Sequence, residues 1–183
     1  IVWKYLGDVK YYVEPFFGSG AVLLKRPPSK HAMPNEIVCD IDGRIANAWR
    51  AIQFAPEETA RWCDWPVNQA DLTARRRRLL EKEVYLYKNL IADPKWCDPE
   101  LAGYWIYCAS CAFGIVLQNT DSIPQTIENI GCINKDVYSL IKKLKNRIRY
   151  IKVICGDWKK AVNVICMKKL KCQHFGVFLD PPY

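Results

Sequence analysis

Three short stretches hold residue types that could do chemistry. The first is Glu14-Pro15-Phe16-Phe17-Gly18-Ser19-Gly20, at the end of a β-branched and aromatic run from Lys10 to Glu14. Gly18 and Gly20 carry no side chain, so a ligand can approach the backbone closely. Amides at the start of the helix after this turn can donate to an anionic group such as a carboxylate. The second is Asp40, which closes another apolar run. A carboxylate there can accept both hydroxyls of a ribose. The third is Asp180-Pro181-Pro182-Tyr183, directly after the hydrophobic run Phe175 to Leu179.

Each stretch also has a plainer reading. A glycine-rich turn can be purely structural. Asp40 could cap a helix, although Asp42 can fill that role. A proline pair can simply end a strand. What favours chemistry is the coincidence of all three in one chain, each just after an apolar strand. The turn and the strand-end acid suit NAD as well as S-adenosylmethionine. A nicotinamide-dependent dehydrogenase would need a third glycine that Gly18-Ser19-Gly20-Ala21-Val22-Leu23 lacks, and it leaves the terminal tetrad unexplained.

The elements that must position these residues alternate between strand and helix. Lys10 to Glu14 reads as a strand. A helix begins at Ala21 and is stopped by Pro27 and Pro28. Glu36 to Asp40 is a second strand, and Gly43 to Phe54 a helix. Later, Ile151 to Cys155 is a strand, Asp157 can cap a helix running to about Lys169, and Phe175 to Leu179 is a further strand. Such alternation predicts an α/β fold, a parallel sheet with helices on both faces. Ligands of such sheets lie beyond the carboxyl ends of the strands.

Residues 56–149 interrupt the alternation and read as a mainly helical insertion between a first part, 1–55, and a last part, 150–183. Leu72 to Ile91 has helical spacing and a run of four arginines, Arg75 to Arg78. A solvated face explains that run better than direct contact with a duplex, because consecutive residues spread around a helix. Leu101 to Leu117 is uncharged but shorter than the roughly 20 residues of a membrane span, so it reads as a buried helix. Asn119 to Asn134 has little periodicity. Lys135 to Tyr150 is amphipathic, with Val137, Leu140, Ile141 and Leu144 on its stripe. Trp62, Trp65, Trp96, Trp105 and Tyr104 read as core.

Charge and cysteine content narrow the class. Lysine and arginine number 27 against 19 acidic residues, a net charge of +8 and a pI near 9.0. That excess favours an anionic partner such as nucleic acid. There are nine cysteines, mostly in apolar stretches, and two histidines. Reduced, buried thiols of a cytoplasmic protein fit this pattern. Cys108 and Cys111 have no second pair at zinc spacing, so no metal is expected.

Taken in order, Glu14 to Leu24 (EPFFGSGAVLL), Cys39 to Asp42 (CDID), Cys155 to Trp158 (CGDW) and the final tetrad resemble the Dam-type DNA adenine methyltransferases. The stretches DWPVNQADLTARRRRLL and DPELAGYWIYC resemble segments of phage and prophage adenine methylases. The resemblance implies a Rossmann-like, S-adenosylmethionine-dependent methyltransferase fold, with the insertion as target-recognition region. It implies S-adenosylmethionine as cofactor and double-stranded DNA as partner, in a bacterial cell or phage-infected host. Phe16, Gly18, Ser19 and Gly20, with Glu14, Pro15 and Phe17, would line the methionine part of the cofactor. Asp40 would hold the ribose. Asp157 and Trp158 would contact or cover the cofactor's adenine. Asp180, which also borders the cofactor, would accept a hydrogen bond from the target amine, and the Pro181 carbonyl would accept a second. Pro182 completes the tetrad, and Tyr183 would stack on the extruded base.

Those roles make physical sense. The exocyclic amine of adenine is a poor nucleophile, since its lone pair is delocalised into the ring. Two acceptors can hold the nitrogen so that the lone pair points at the methyl group. The target atom is inaccessible inside a duplex, so the base must leave the stack. Two further outcomes stay open: the exocyclic amine of cytosine as acceptor, or a noncatalytic DNA-binding remnant of a methylase. The chain starts close to its first strand and stops at the tetrad. The expectation is therefore an incomplete fold that is weakly active or inactive by itself.

Overall fold

The computed structural model describes residues 1–31, 34–111, 136–167 and 175–181. They form two compact units, one of Ile1–Asp42 with Arg149–Tyr183, the other of Gly43–Ile148.

The first unit holds α1 (Val2–Leu6), β1 (Tyr11–Glu14), α2 (Ala21–Leu24), β2 (Asn35–Asp40), β3 (Lys152–Cys155), α9 (Lys159–Met167) and β4 (Phe175–Val177). The strands lie in the order β3-β2-β1-β4. All three pairings are parallel. The order reverses between β1 and β4, which makes the gap beyond their carboxyl ends a topological switch point. All four expected strands are present. Ladder pairing ends at Val177, so Phe178 and Leu179 lie beyond β4, although the Phe178 amide still donates to the Val13 carbonyl at 2.9 Å.

Side-chain alternation along β1 explains why both faces are covered. Val13 points to one face and packs with Ile37, Cys39 and Ala161 of α9, with Ile154 and Val177 beside them. Tyr12 and Glu14 point to the other. There the Trp3 ring of α1 lies 4.7 Å from the Tyr12 ring. Trp3 Nε1 donates to the Val22 carbonyl of α2 at 2.8 Å. Arg26 closes this layer. Its Nη1 donates to Glu36 Oε1 at 3.0 Å, its Nη2 donates to the Val9 carbonyl, and its guanidinium sits over the Trp3 ring. A buried cation is tolerated there because its donors are paired.

The second unit is helical: α3 (Gly43–Phe54), α4 (Pro56–Cys63), α5 (Gln69–Glu81), α6 (Glu83–Ala92), α7 (Pro99–Cys111) and α8 (Val137–Ile148). The single helix expected over Leu72 to Ile91 is two. Lys82 leaves helical geometry, with ψ near 7°, so α5 stops and α6 starts afresh. Arg50 of α3 satisfies carbonyls at the end of α6 and in the loop after it. Its Nη1 donates to the carbonyls of Leu90, Asp93 and Trp96 at 2.9, 3.0 and 3.4 Å. Asn47 and Asp98 exchange two hydrogen bonds of 2.8 Å, and Asp98 caps α7 through the Leu101 amide.

Three expectations about side chains are corrected. The arginine run is not a solvated face throughout. Arg75 and Arg76 are buried, while Arg77 and Arg78 are exposed. The Arg75 guanidinium lies over the rings of Trp65, Tyr104 and Tyr107 and donates to the Trp62 carbonyl at 2.9 Å. On α8, Leu140 is exposed, and the buried residues are Val137, Ile141 and Ile148. A helix of about 3.6 residues per turn keeps those three nearly in line and turns residue 140 away. The aromatic residues expected in the core are half-buried, except Trp65, which is exposed.

The described part of the Leu101–Leu117 stretch is helical and packed inside this unit. Residues 112–117 lie outside the described residues, as does the Asn119–Asn134 segment. No helix among the described residues is long and apolar enough to cross a membrane.

Candidate active site

The turn after β1 is built by two backbone bonds. Phe17 donates to the Cys39 carbonyl at 3.0 Å, and Gly20 donates to the Phe17 carbonyl at 2.9 Å. Gly18 and Gly20 have φ of 48° and 66°, a left-handed conformation that costs other residues about 1–2 kcal/mol. A Cβ placed on Gly18 would meet nothing within 4 Å. The turn therefore borders open space, as a ligand would require. Phe17 and Gly20 are buried, Phe16 is half-buried and Ser19 is exposed. The Gly18 amide is turned toward the end of β2. It donates to Asp40 Oδ2 at 2.8 Å.

Asp40 thereby joins the ends of β1 and β2. Its Oδ1 accepts from the Asp42 amide at 2.9 Å, and its backbone carbonyl accepts from Gly156, beyond β3, at 2.9 Å. Burial raises the Asp40 pKa, opposed by the amides of Asp42 and Gly18. The Ile41 amide is a third donor to this carboxylate, so of its roughly four lone-pair sites about one remains for a further donor. Ile41, next in the chain, is 71 % exposed.

After β3, the chain turns through Gly156 and Asp157. Asp157 Oδ1 accepts from the Lys159 amide at 2.8 Å and so starts α9. Trp158 is exposed, and its ring lies 6.4 Å from that of Phe16 across the strand ends. After β4, Asp180 is exposed and Pro181 half-buried. Pro182 and Tyr183 lie outside the described residues.

Glu14 occupies the centre of this edge and is 3 % exposed. Its Oε2 accepts from the Tyr12 hydroxyl at 2.8 Å, and the Leu23 amide is a second donor. Burial pushes its carboxyl up to about 7 despite both donors, and the Asp180 charge adds to the rise. Tyr12 is in turn pushed far above its ordinary value, by burial and then by the Glu14 charge.

The structure thus brings Glu14 to Gly20, Asp40, Asp157, Trp158, Asp180 and Pro181 to one edge of the sheet. Parallel pairing does this: four strands running one way deliver their carboxyl ends to the same side. Sequence reasoning missed Tyr12, Ile41 and Gly156. For Tyr12 a signal existed, since residues two apart on a strand share a face and Glu14 is two residues on.

This edge suits a nucleoside cofactor that carries positive charge, with an acid for its ribose, aromatic side chains, and carboxylates at Glu14 and Asp180. Comparison with family models decides which. The model for D12 class N6 adenine-specific DNA methyltransferases matches residues 4–183. The chain belongs to this family. No curated protein matches it individually. The methyltransferase uses S-adenosylmethionine and methylates adenine in DNA. The cytosine alternative is not favoured. Its parallel sheet with mixed helices is the Rossmann-like fold that the family resemblance implied.

Proposed function

We propose that this methyltransferase binds its cofactor and target base at the switch point between β1 and β4, and that its base comes from double-stranded DNA. Glu14, Pro15, Phe16, Phe17, Gly18, Ser19 and Gly20 line the methionine part of the cofactor. Asp40 accepts from the ribose with the lone pair left over after the amides of Gly18, Ile41 and Asp42. Asp157 and Trp158 border its adenine ring, and exposed Ile41 offers that ring an apolar neighbour. S-adenosylmethionine, when bound, supplies an electrophilic methyl group on a sulfonium.

Asp180 and the Pro181 carbonyl hold the amine of the extruded adenine. Both accept from it, which directs the nitrogen lone pair and stabilises the positive charge that develops there. Tyr183 gives the base an aromatic face in place of its lost neighbours, and Pro182 belongs to the same tetrad. The helical residues between the two halves of the sheet serve target recognition, supported by the basic charge of the chain.

One observation carries this reading. The register of β1 on β4, Tyr11↔Phe175, Tyr12↔Gly176 and Val13↔Val177, runs the chain on past the carboxyl end of β1 to Asp180, whose charge acts on Glu14. The test is Asp180→Ala, assayed on duplex DNA with labelled methyl donor and nucleoside analysis. Methyl transfer should fall by at least about a hundredfold while DNA binding persists. Retention of transfer would remove Asp180 from the site.

A further inference from the structure

Glu14 has more structure behind it than lining a pocket requires. Its two donors, the Tyr12 hydroxyl and the Leu23 amide, are both uncharged. Arg26, buried on the same face, is engaged by Glu36 and the Val9 carbonyl. Among the described residues, the groups facing Glu14 are Tyr12 from β1, the Leu23 amide from α2 and Asp180 beyond β4. Glu36 and Arg26 act on Tyr12 itself. A buried carboxylate with neutral donors and a second carboxylate nearby holds its charge weakly and gains most from an added cation. The methyl donor brings two cations, a sulfonium and an ammonium. The product left after transfer has a neutral sulfur.

We propose that Tyr12 is a positioning residue that fixes Glu14 Oε2, so that binding of the cationic methyl donor draws a proton from Glu14 to solvent and loss of the sulfonium lets it return. This rests on the reading that the cofactor lies at the carboxyl ends of β1 and β4. Nothing is oxidised or reduced. The O–H bond of the Glu14 carboxyl breaks, and the proton passes to buffer. The Tyr12 hydroxyl keeps its own proton throughout and stays a donor, as burial beside a carboxylate demands. Release of product is thereby eased, because the site no longer has two positive charges to hold its carboxylates ionised.

Calorimetry tests this with the intact chain and S-adenosylmethionine, in buffers of differing ionisation enthalpy. Near neutral pH, binding should release a fraction of a proton. Affinity should rise about tenfold from about pH 6 to about pH 8, and less for S-adenosylhomocysteine. Tyr12→Phe removes a hydrogen bond to a charged group. Affinity at neutral pH should fall about tenfold, and its rise should move to higher pH. In a Glu14→Gln background proton release should vanish, and adding Tyr12→Phe should change affinity no further. Binding without proton release, or an equal Tyr12→Phe effect in both backgrounds, would overturn the proposal while leaving the cofactor site intact. Absence of cofactor binding in the unmodified chain would overturn both.

Discussion

The backbone amide of Gly18 donates to Asp40 Oδ2 at 2.8 Å, so the turn after β1 is tied to the residue that ends β2. Asp40→Ala removes this tie together with the proposed ribose acceptor. It should weaken S-adenosylmethionine binding by about 2–3 kcal/mol, and lower stability by about 1–3 kcal/mol as the amides of Gly18 and Asp42 lose their acceptor. Calorimetry and urea melts measure the two effects separately. Unchanged affinity would rule out the ribose role.

Gly18 should be sensitive for a reason of backbone alone. Its φ is +48°, and a Cβ there would touch nothing within 4 Å. Gly18→Ala should cost about 1–2 kcal/mol in a urea melt. Gly18→Asn should cost less, since asparagine adopts left-handed conformations more readily. Equal losses in both variants would point to a steric clash in place of strain.

Glu14 makes stability depend on pH with a defined sign. Its carboxyl rises from 4.5 to about 7 in the folded chain, so the native state holds a proton that the unfolded chain gives up. The stabilisation this provides is complete below about pH 4.5 and is lost as pH climbs through about 7. Glu14→Gln never ionises. It should therefore be more stable than the parent at about pH 8, by roughly 2 kcal/mol, with no advantage near pH 4. Urea titrations at the two pH values check this, and a constant difference would disprove it.

Gly103 lies where α7 crosses α4. A Cβ on it would sit 2.3 Å from Trp62 Cβ and 2.8 Å from the Trp62 carbonyl carbon. Helix propensity alone would favour Gly103→Ala by about 1 kcal/mol. Backbone cannot move away as a flexible side chain can, so overpacking should win, with a net loss of about 2 kcal/mol. Thermal melts decide the sign, and a stabilised variant would mean the two helices separate easily.

Members of the arginine run should differ sharply from one another. Arg75 is enclosed by Trp65, Tyr104 and Tyr107 and holds the Trp62 carbonyl. Arg75→Met should cost about 2–4 kcal/mol, and Arg75→Lys should also destabilise, because an ammonium cannot stack as a planar guanidinium does. Arg77 pairs with Glu81 at the surface, at 3.0 Å. Arg77→Ala should shift stability by less than about 1 kcal/mol. Equal effects in a melt would contradict the burial difference.

Local pattern was enough for much of this protein. The strands around Val13, Val38, Ile154 and Gly176 and the glycine turn between Glu14 and Ala21 were legible because strand alternation and breaker residues act over a few positions. The order of the motifs, ending in Asp180-Pro181, was enough for the family. What needed the tertiary structure involves residues far apart in the chain. That β4 pairs with β1, and so brings Asp180 near Glu14, depends on which strand edge was free to accept it. That Asp40 spends a lone pair on Gly18 depends on the register of two strands. That Arg75 is enclosed while Arg77 is wet depends on α7 packing over α5. Periodicity reports only how a segment alternates along itself. Burial, partner and charge state are set by what the remainder of the chain places against it.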